Sequence, residues 1–187
     1  MKKFELFPTP VMEFNFDDHP NLNSIIKVID ENTPVSHSLV EKGVSSFASK
    51  NNILFSPDLI ELKNDLQKCV DYYSKEIRIQ NTYIYESWFN VMENNGKVKP
   101  HNHGKSVISG VFYPFLQENT CNLYFKSPLY TAINFQPAYP TTNHFQDDVE
   151  INIKPNHLYL FPGWLTHYTE KNKGDKRIVL SFNTRFY

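Results

Sequence analysis

The chain has only two cysteines in 187 residues, Cys69 and Cys121, and they form no CxxC pair. Two distant cysteines rule out a disulfide framework, and both thiols are expected to be reduced, as in the cytoplasm. No stretch approaches the ~20 apolar residues that a membrane-crossing helix needs. Met1-Lys-Lys-Phe-Glu5 begins charged with no long apolar run behind it, so no signal peptide is expected. Charge of one sign is missing too: 19 Lys and Arg stand against 20 Asp and Glu, for a net −1. A nucleic-acid partner normally requires a basic stripe. The short runs Lys171-Asn-Lys173 and Lys176-Arg177 read instead as solvated loop charge. No internal repeat, low-complexity tract or linker divides the chain, so a single domain is expected, with residues 1–79 as support and 80–187 carrying the site.

What the chain has in quantity is aromatic residues: 15 Phe, 11 Tyr and 2 Trp. Aromatic and β-branched side chains fit a pleated, half-buried surface. Phe4-Glu-Leu-Phe7 and Val11-Met-Glu-Phe-Asn-Phe16, separated by Pro8 and Pro10, read as one interrupted strand or as two edge strands. Asp18-His19-Pro20 reads as a helix start followed by Leu22, Ile25, Ile26 and Ile29 at helical spacing. Residues 32–54 are polar and irregular: a lid, an ordered loop near a site, or a plain surface connection. Ser56-Pro57-Asp58 opens the clearest helix, with Ser56 as cap, running to about Lys75. Its stripe of Leu59, Leu62, Leu66, Cys69, Val70 and Tyr73 is core packing against a sheet.

From about Ile79 the pattern is strand after strand: 82–92, 106–113, 121–125, 130–135, 149–153, 157–161 and 177–182, with Asn94-Asn95-Gly96 as a turn. Short strands without intervening helices indicate an antiparallel sandwich or barrel. The expected fold is mainly β: a jelly roll, with two N-terminal helices packed on its outside.

The chemistry is concentrated in histidines. His101-Asn-His103 precedes the strand Ser106–Tyr113, and two residues at i, i+2 on an extended segment share one face. Neutral imidazole is the commonest protein metal ligand. His167 leaves the strand 157–161 through Pro162-Gly163-Trp164, and Arg177 follows ten residues later at the head of Ile-Val-Leu-Ser-Phe-Asn183. Arg177 is either a strand-end surface charge or a guanidinium reaching inward to take a carboxylate by a bidentate fork; it is expected on the strand antiparallel to 157–161. His19, His37, His144 and His157 have no partner at ligand spacing and read as surface or hydrogen-bonded core residues. Asp147, Asp148 and Glu150 are the nearest acidic alternatives as ligands.

The ordered set Trp88-Phe-Asn-Val91, His101–Tyr113, Leu158–His167 and Arg177–Asn183 resembles the 2-oxoglutarate–Fe(II) oxygenases found in marine bacteria and their phages. The resemblance covers residues 80–187 well and the N-terminal part loosely. More distantly, the chain is similar to prolyl 4-hydroxylases, in which HxD, a distal His and an Arg or Lys form the site. The resemblance implies a double-stranded β-helix, and an enzyme that holds Fe(II) at one mouth of it and couples oxidative decarboxylation of 2-oxoglutarate to oxidation of a substrate C–H bond. It implies His101, His103 and His167 as metal ligands and Arg177 as anchor of the distal carboxylate of 2-oxoglutarate. Tyr113 falls where those hydroxylases place a tyrosine on the same carboxylate, though it also reads as an ordinary strand aromatic. Asn90 and Ser181 are assigned to the cosubstrate end, and Trp88, Tyr124, Trp164 and Asn183 to the substrate pocket. One departure stands out: His103 occupies the place where the wider superfamily has a carboxylate, so the centre loses one negative charge. The expected partner is a small-molecule or peptide substrate, with neither nucleic acid nor membrane, and a homodimer is left open. Two rivals remain at this point: a non-catalytic cupin-like metal-binding module, and a three-histidine dioxygenase that needs no 2-oxoglutarate.

Overall fold

The computed structural model describes residue 2 and residues 8–20, 22–129 and 147–187. The expected strands Phe4–Phe7 and Tyr130–Phe135, and His144, lie outside the described residues. Two antiparallel sheets form the body. The larger contains β1 (Met12–Asn15), β2 (Val35–His37), β3 (Val40–Ser45), β4 (Thr82–Val98), β5 (Ile108–Leu116), β8 (His157–Pro162) and β10 (Lys176–Phe186), in the order β1-β8-β5-β10-β4-β3-β2. The smaller contains β6 (Leu123–Lys126), β7 (Asp148–Ile151) and β9 (His167–Tyr168), in the order β7-β6-β9. Helices α1 (Leu22–Asp30) and α2 (Ile60–Glu76) cover the outer face of the larger sheet. This is the two-sheet jelly roll expected from the strand pattern.

Period-two alternation divides the side chains of the larger sheet between two cores. On β10, Ile178, Leu180 and Phe182 join the helix-side core with Leu62, Leu66 and Val70 of α2. On β5, Ile108 and Phe112 do the same, while Val111 and Tyr113 face inward with Leu123, Phe125, Tyr159 and Phe161. The inward positions of β10 are therefore Arg177, Val179, Ser181 and Asn183, and those of β4 include Glu86, Trp88 and Asn90. All seven line one cavity between the sheets.

Residues 32–54 contain the hairpin β2–β3, whose inner strand pairs with β4, and His37, Ser45 and Phe47 of this segment line the cavity, so of the readings offered the ordered segment near a site holds. Several other local expectations are corrected. Asn94-Asn95-Gly96 is no turn: β4 runs through it as a bulge, with the positive φ of 61° at Asn95 and not at Gly96. The extra residues bond across to Asn172, with Asn95 N to Asn172 O at 2.7 Å and Asn172 N to Gly96 O at 2.8 Å. Ser56 makes no side-chain cap; Pro57–Leu59 form a 3-10 turn before α2 begins at Ile60. β10 is not the neighbour of β8, because β5 lies between them. His101-Asn-His103 is not a regular strand either, although His101 makes an isolated bridge to His167.

Candidate metal and cosubstrate site

His101 and His103 sit on the connection from β4 to β5, and His167 opens β9. Backbone bonds lock them together: His101 N donates to His167 O at 3.1 Å and His167 N to His101 O at 2.9 Å. His103 N donates to Gly163 O at 2.8 Å, so the turn after β8 holds the other end of the tripeptide. Gly163 is required there, since a Cβ would lie 2.2 Å from Ser106 O. The three side chains each bring one ring nitrogen into a set lying within 4.8 Å of one another. Among the described residues no carboxylate or thiol joins this set. Asp148 pairs with Lys126 at 3.7 Å, and Glu150 accepts from Asn122 at 2.7 Å.

The ring orientations suit a divalent cation. His101 Nδ1 lies 2.8 Å from Lys99 O, and His167 Nδ1 lies 3.1 Å from Leu165 O. A ring whose Nδ1–H donates to a carbonyl presents the lone pair of Nε2 on its other side. Burial pushes all three rings toward the neutral form that a metal requires. It lowers the His103 pKa to about 4, with the His101 charge adding to the effect. It lowers His167 well below the ordinary value, helped by His101 and His103. His101 is lowered as well, chiefly by burial. Three ring nitrogens of neutral imidazoles brought this close together could hold a divalent first-row metal ion.

The same cavity, of about 490 Å³, reaches Arg177. Arg177 is 2 % exposed, an unusual place for a guanidinium. Its Nη2 donates to the Tyr113 hydroxyl at 3.0 Å, while its Nε has no hydrogen-bond partner. Burial raises the Tyr113 pKa and keeps the phenol neutral, with the guanidinium opposing that shift. No acidic side chain among the described residues pairs with Arg177. A buried cation without an anion is costly unless a ligand supplies one. A dicarboxylate whose far end meets Arg177 and Tyr113 fits this pocket.

Asn90 and Ser181 line the cavity, as do Trp88 and Asn183. Tyr124 and Trp164 do not. On β6, Leu123 and Phe125 point inward, so period two turns Tyr124 outward, where it stacks on Tyr168 at 5.3 Å. Trp164 is 51 % exposed in the turn before His167. Sequence reasoning missed Glu86, Ser45, Phe47 and His37, all of which line the cavity. Glu86 was within reach of the pattern, since it stands two residues before Trp88 on the same strand face. His157 is a buried core histidine, with Nδ1 2.8 Å from Pro155 O and Nε2 3.7 Å from Glu13.

The family model described as "Putative 2OG-Fe(II) oxygenase" matches residues 86–183, just over half of the chain. No curated protein matches the sequence. Among solved structures, the fold is similar to HygX from Streptomyces hygroscopicus with nickel, 2-oxoglutarate and hygromycin B bound: 10% identity, TM-score 0.65, covering 95% of this chain and 83% of that one. It is similar to a Pseudomonas putida prolyl-4-hydroxylase at 10% identity and TM-score 0.64, covering 96% and 94%. It is also similar to the carbocyclase SnoK from nogalamycin biosynthesis at 8% identity and TM-score 0.70, covering 95% and 80%. At such identities these likenesses speak for the fold.

Proposed function

We infer the chemistry from one premise: this chain belongs to the 2OG-Fe(II) oxygenase family. It is an Fe(II)- and 2-oxoglutarate-dependent oxygenase. When bound, Fe(II) supplies the oxygen-activating chemistry that couples decarboxylation of 2-oxoglutarate to succinate with oxidation of a substrate C–H bond.

The roles proposed for this chain's residues follow from the cavity. His101, His103 and His167 hold the metal, the first two from the β4–β5 connection and the third from β9. Arg177 and Tyr113 fix the distal carboxylate of 2-oxoglutarate by charge-assisted hydrogen bonds. Asn90 and Ser181 border that end. Trp88 stands over His103, with ring centroids 5.6 Å apart, and forms part of the substrate wall. The buried rings and inner core residues limit water around the reacting groups.

The observation that carries this reading is Arg177: a buried guanidinium, with an unbonded Nε and no acidic partner among the described residues, lining the cavity of the three histidines. A metal-binding module without turnover has no use for it. Anaerobic titration of the Fe(II)-loaded protein with 2-oxoglutarate tests the reading, because the chelate absorbs in the visible. A saturable band that is lost in His167→Ala supports it. Fe(II) uptake with no band on addition of 2-oxoglutarate would remove the cosubstrate.

For the substrate we propose a small molecule or a peptide, and for the compartment the cytoplasm. The near-balanced charge gives no basic footprint for nucleic acid. No helix among the described residues is long and apolar enough to cross a membrane.

A further inference from the structure

Two consecutive residues of β4 face the cavity where strand alternation allows one. Asn183 of β10 lies opposite Glu86 and Thr184 lies opposite Ile84, so Tyr85 is an extra residue in the ladder. Ile84 and Phe89 point into the helix-side core, while Tyr85, Glu86 and Trp88 all line the cavity. A bulge of this kind re-aims a side chain. Here it brings the Tyr85 hydroxyl onto its neighbour's carboxylate. Glu86 Oε1 accepts from that hydroxyl at 2.8 Å and from Asn183 Nδ2 at 2.7 Å. Glu86 Oε2 has no partner among the described residues. The Tyr85 ring is braced in turn by the Arg185 guanidinium, 3.8 Å from its centroid. Glu86 is the only carboxylate among the described residues that line the cavity, and none of the cations lining it, Lys105, Arg177 and Arg185, forms an ion pair with it. Aromatic rings stand beside the carboxylate. Trp88 is two residues along on the same strand face, and Phe47 meets it edge-on with ring centroids 5.0 Å apart.

We propose that Glu86 is the substrate-recognition residue of this cavity, and that the substrate carries an alkylammonium group which Glu86 Oε2 accepts beside Trp88 and Phe47. The proposal deepens the oxygenase reading and rests on it. A half-buried carboxylate with one oxygen unpaired is satisfied by a cation, through a charge-assisted hydrogen bond. Aromatic faces next to it favour the same sign of charge. Arg177 and Glu86 then sort two occupants by charge. Arg177 and Asn183, which lies opposite Glu86, stand six residues apart on β10, or ~20 Å of strand. The guanidinium at one end takes the dicarboxylate, and the carboxylate at the other end repels a second one.

Anaerobic Fe(II)-loaded protein with saturating 2-oxoglutarate tests the proposal. The probes are n-hexylammonium, 1-hexanol and hexanoate, which share one chain and differ in charge. Each is titrated by calorimetry and by its shift of the visible band. Wild type is expected to bind the ammonium ~10–100-fold more tightly than the alcohol and to exclude the carboxylate. Added salt should narrow the preference. Glu86→Gln is expected to bind ammonium and alcohol about equally, and Glu86→Lys to reverse the order, with hexanoate bound over hexylammonium. Thermal melts show whether each variant is folded, and the wild-type comparison decides alone where a variant is not. A merely structural Glu86 would weaken all three probes alike. Wild-type protein that forms the band but binds the ammonium no better than the alcohol overturns the inference and leaves the oxygenase standing. An ammonium preference that persists in folded Glu86→Gln does the same. Wild-type protein that forms no band on addition of 2-oxoglutarate overturns the oxygenase reading, and the substrate assignment with it.

Discussion

At the scale of the residue, Arg177 is the most consequential side chain. Its burial is hard to account for as a contribution to folding, since replacing a buried charge by an apolar side chain of similar volume is often neutral or stabilising. Arg177→Met is therefore expected to melt no lower than wild type without 2-oxoglutarate. Its binding should suffer instead: a charge-assisted contact of ~1.5–3 kcal/mol corresponds to about ten- to a hundred-fold in 2-oxoglutarate affinity. Fe(II) affinity should stay nearly unchanged, and Arg177→Lys should recover only part of the loss, because one ammonium does not reproduce a planar fork. Calorimetry on metal-loaded protein decides the matter, and equal 2-oxoglutarate affinity in wild type and Arg177→Met would remove the anchor. The histidines make a second prediction, for the metal-free protein. Burial lowers the folded-state pKa of His103 to about 4 and lowers His101 and His167 in the same direction. In the unfolded chain these rings titrate near the ordinary value, about 6.5. The unfolded state thus binds more protons as pH falls below about 6.5, and stability declines until the folded-state values are passed. Urea midpoints measured at about pH 7.5 and about pH 5 should be lower at the acidic pH, and His103→Gln should show a smaller difference.

At the scale of the element, the strands that carry the site were legible and the devices that shape its mouth were not. His101, His103, His167 and Arg177 could be found because each stands beside a turn or an apolar strand with a clear pattern. The hairpin β2–β3 could not, because its strands are short and polar and owe their conformation to β4. Gly43 comes so close to that strand that a Cβ would lie 2.5 Å from Val91 O. Asn94-Asn95-Gly96 has turn composition, yet its backbone groups are satisfied by Asn172, a partner far along the chain. Tyr124 and Trp164 were assigned to the pocket by residue type, which does not report the face of a strand. Alternation does report it, and it also accounts for Glu86, Trp88 and Asn90 in one wall. The strand pair β5–β10 gives a prediction at this scale. Gly110 lies opposite Phe182, and a Cβ on it would fall 2.2 Å from the ring. Gly110→Val should destabilise the protein by ~1–3 kcal/mol through overpacking, measurable by urea unfolding. A midpoint equal to wild type would mean that the Phe182 ring moves aside at no cost.

At the scale of the whole molecule, the larger sheet is a partition. One face carries the apolar core under α1 and α2, and the other carries the polar cavity, so the same strands both stabilise the protein and position its chemistry. Phe89 and Trp88 are adjacent on β4, yet Phe89 packs among the helix-side residues while Trp88 lines the cavity. If the chain is one cooperative domain, damage under the helices must be felt at the site. Leu66 on α2 is fully buried in the helix-side core with Leu62, Val70 and Phe89. Leu66→Ala is expected to cost ~2–5 kcal/mol, the transfer term plus the cavity left behind. Far-UV circular dichroism reports the secondary structure of the whole chain, and tryptophan fluorescence includes Trp88 in the cavity wall. Both probes should follow one coincident transition, shifted together to lower urea by the substitution. The folded variant should still bind 2-oxoglutarate with near wild-type affinity, because Leu66 lies on the far side of the sheet from Arg177 and the histidines. Two separated transitions, with fluorescence unmoved by Leu66→Ala, would instead make residues 1–79 a unit that unfolds apart from the β-helix.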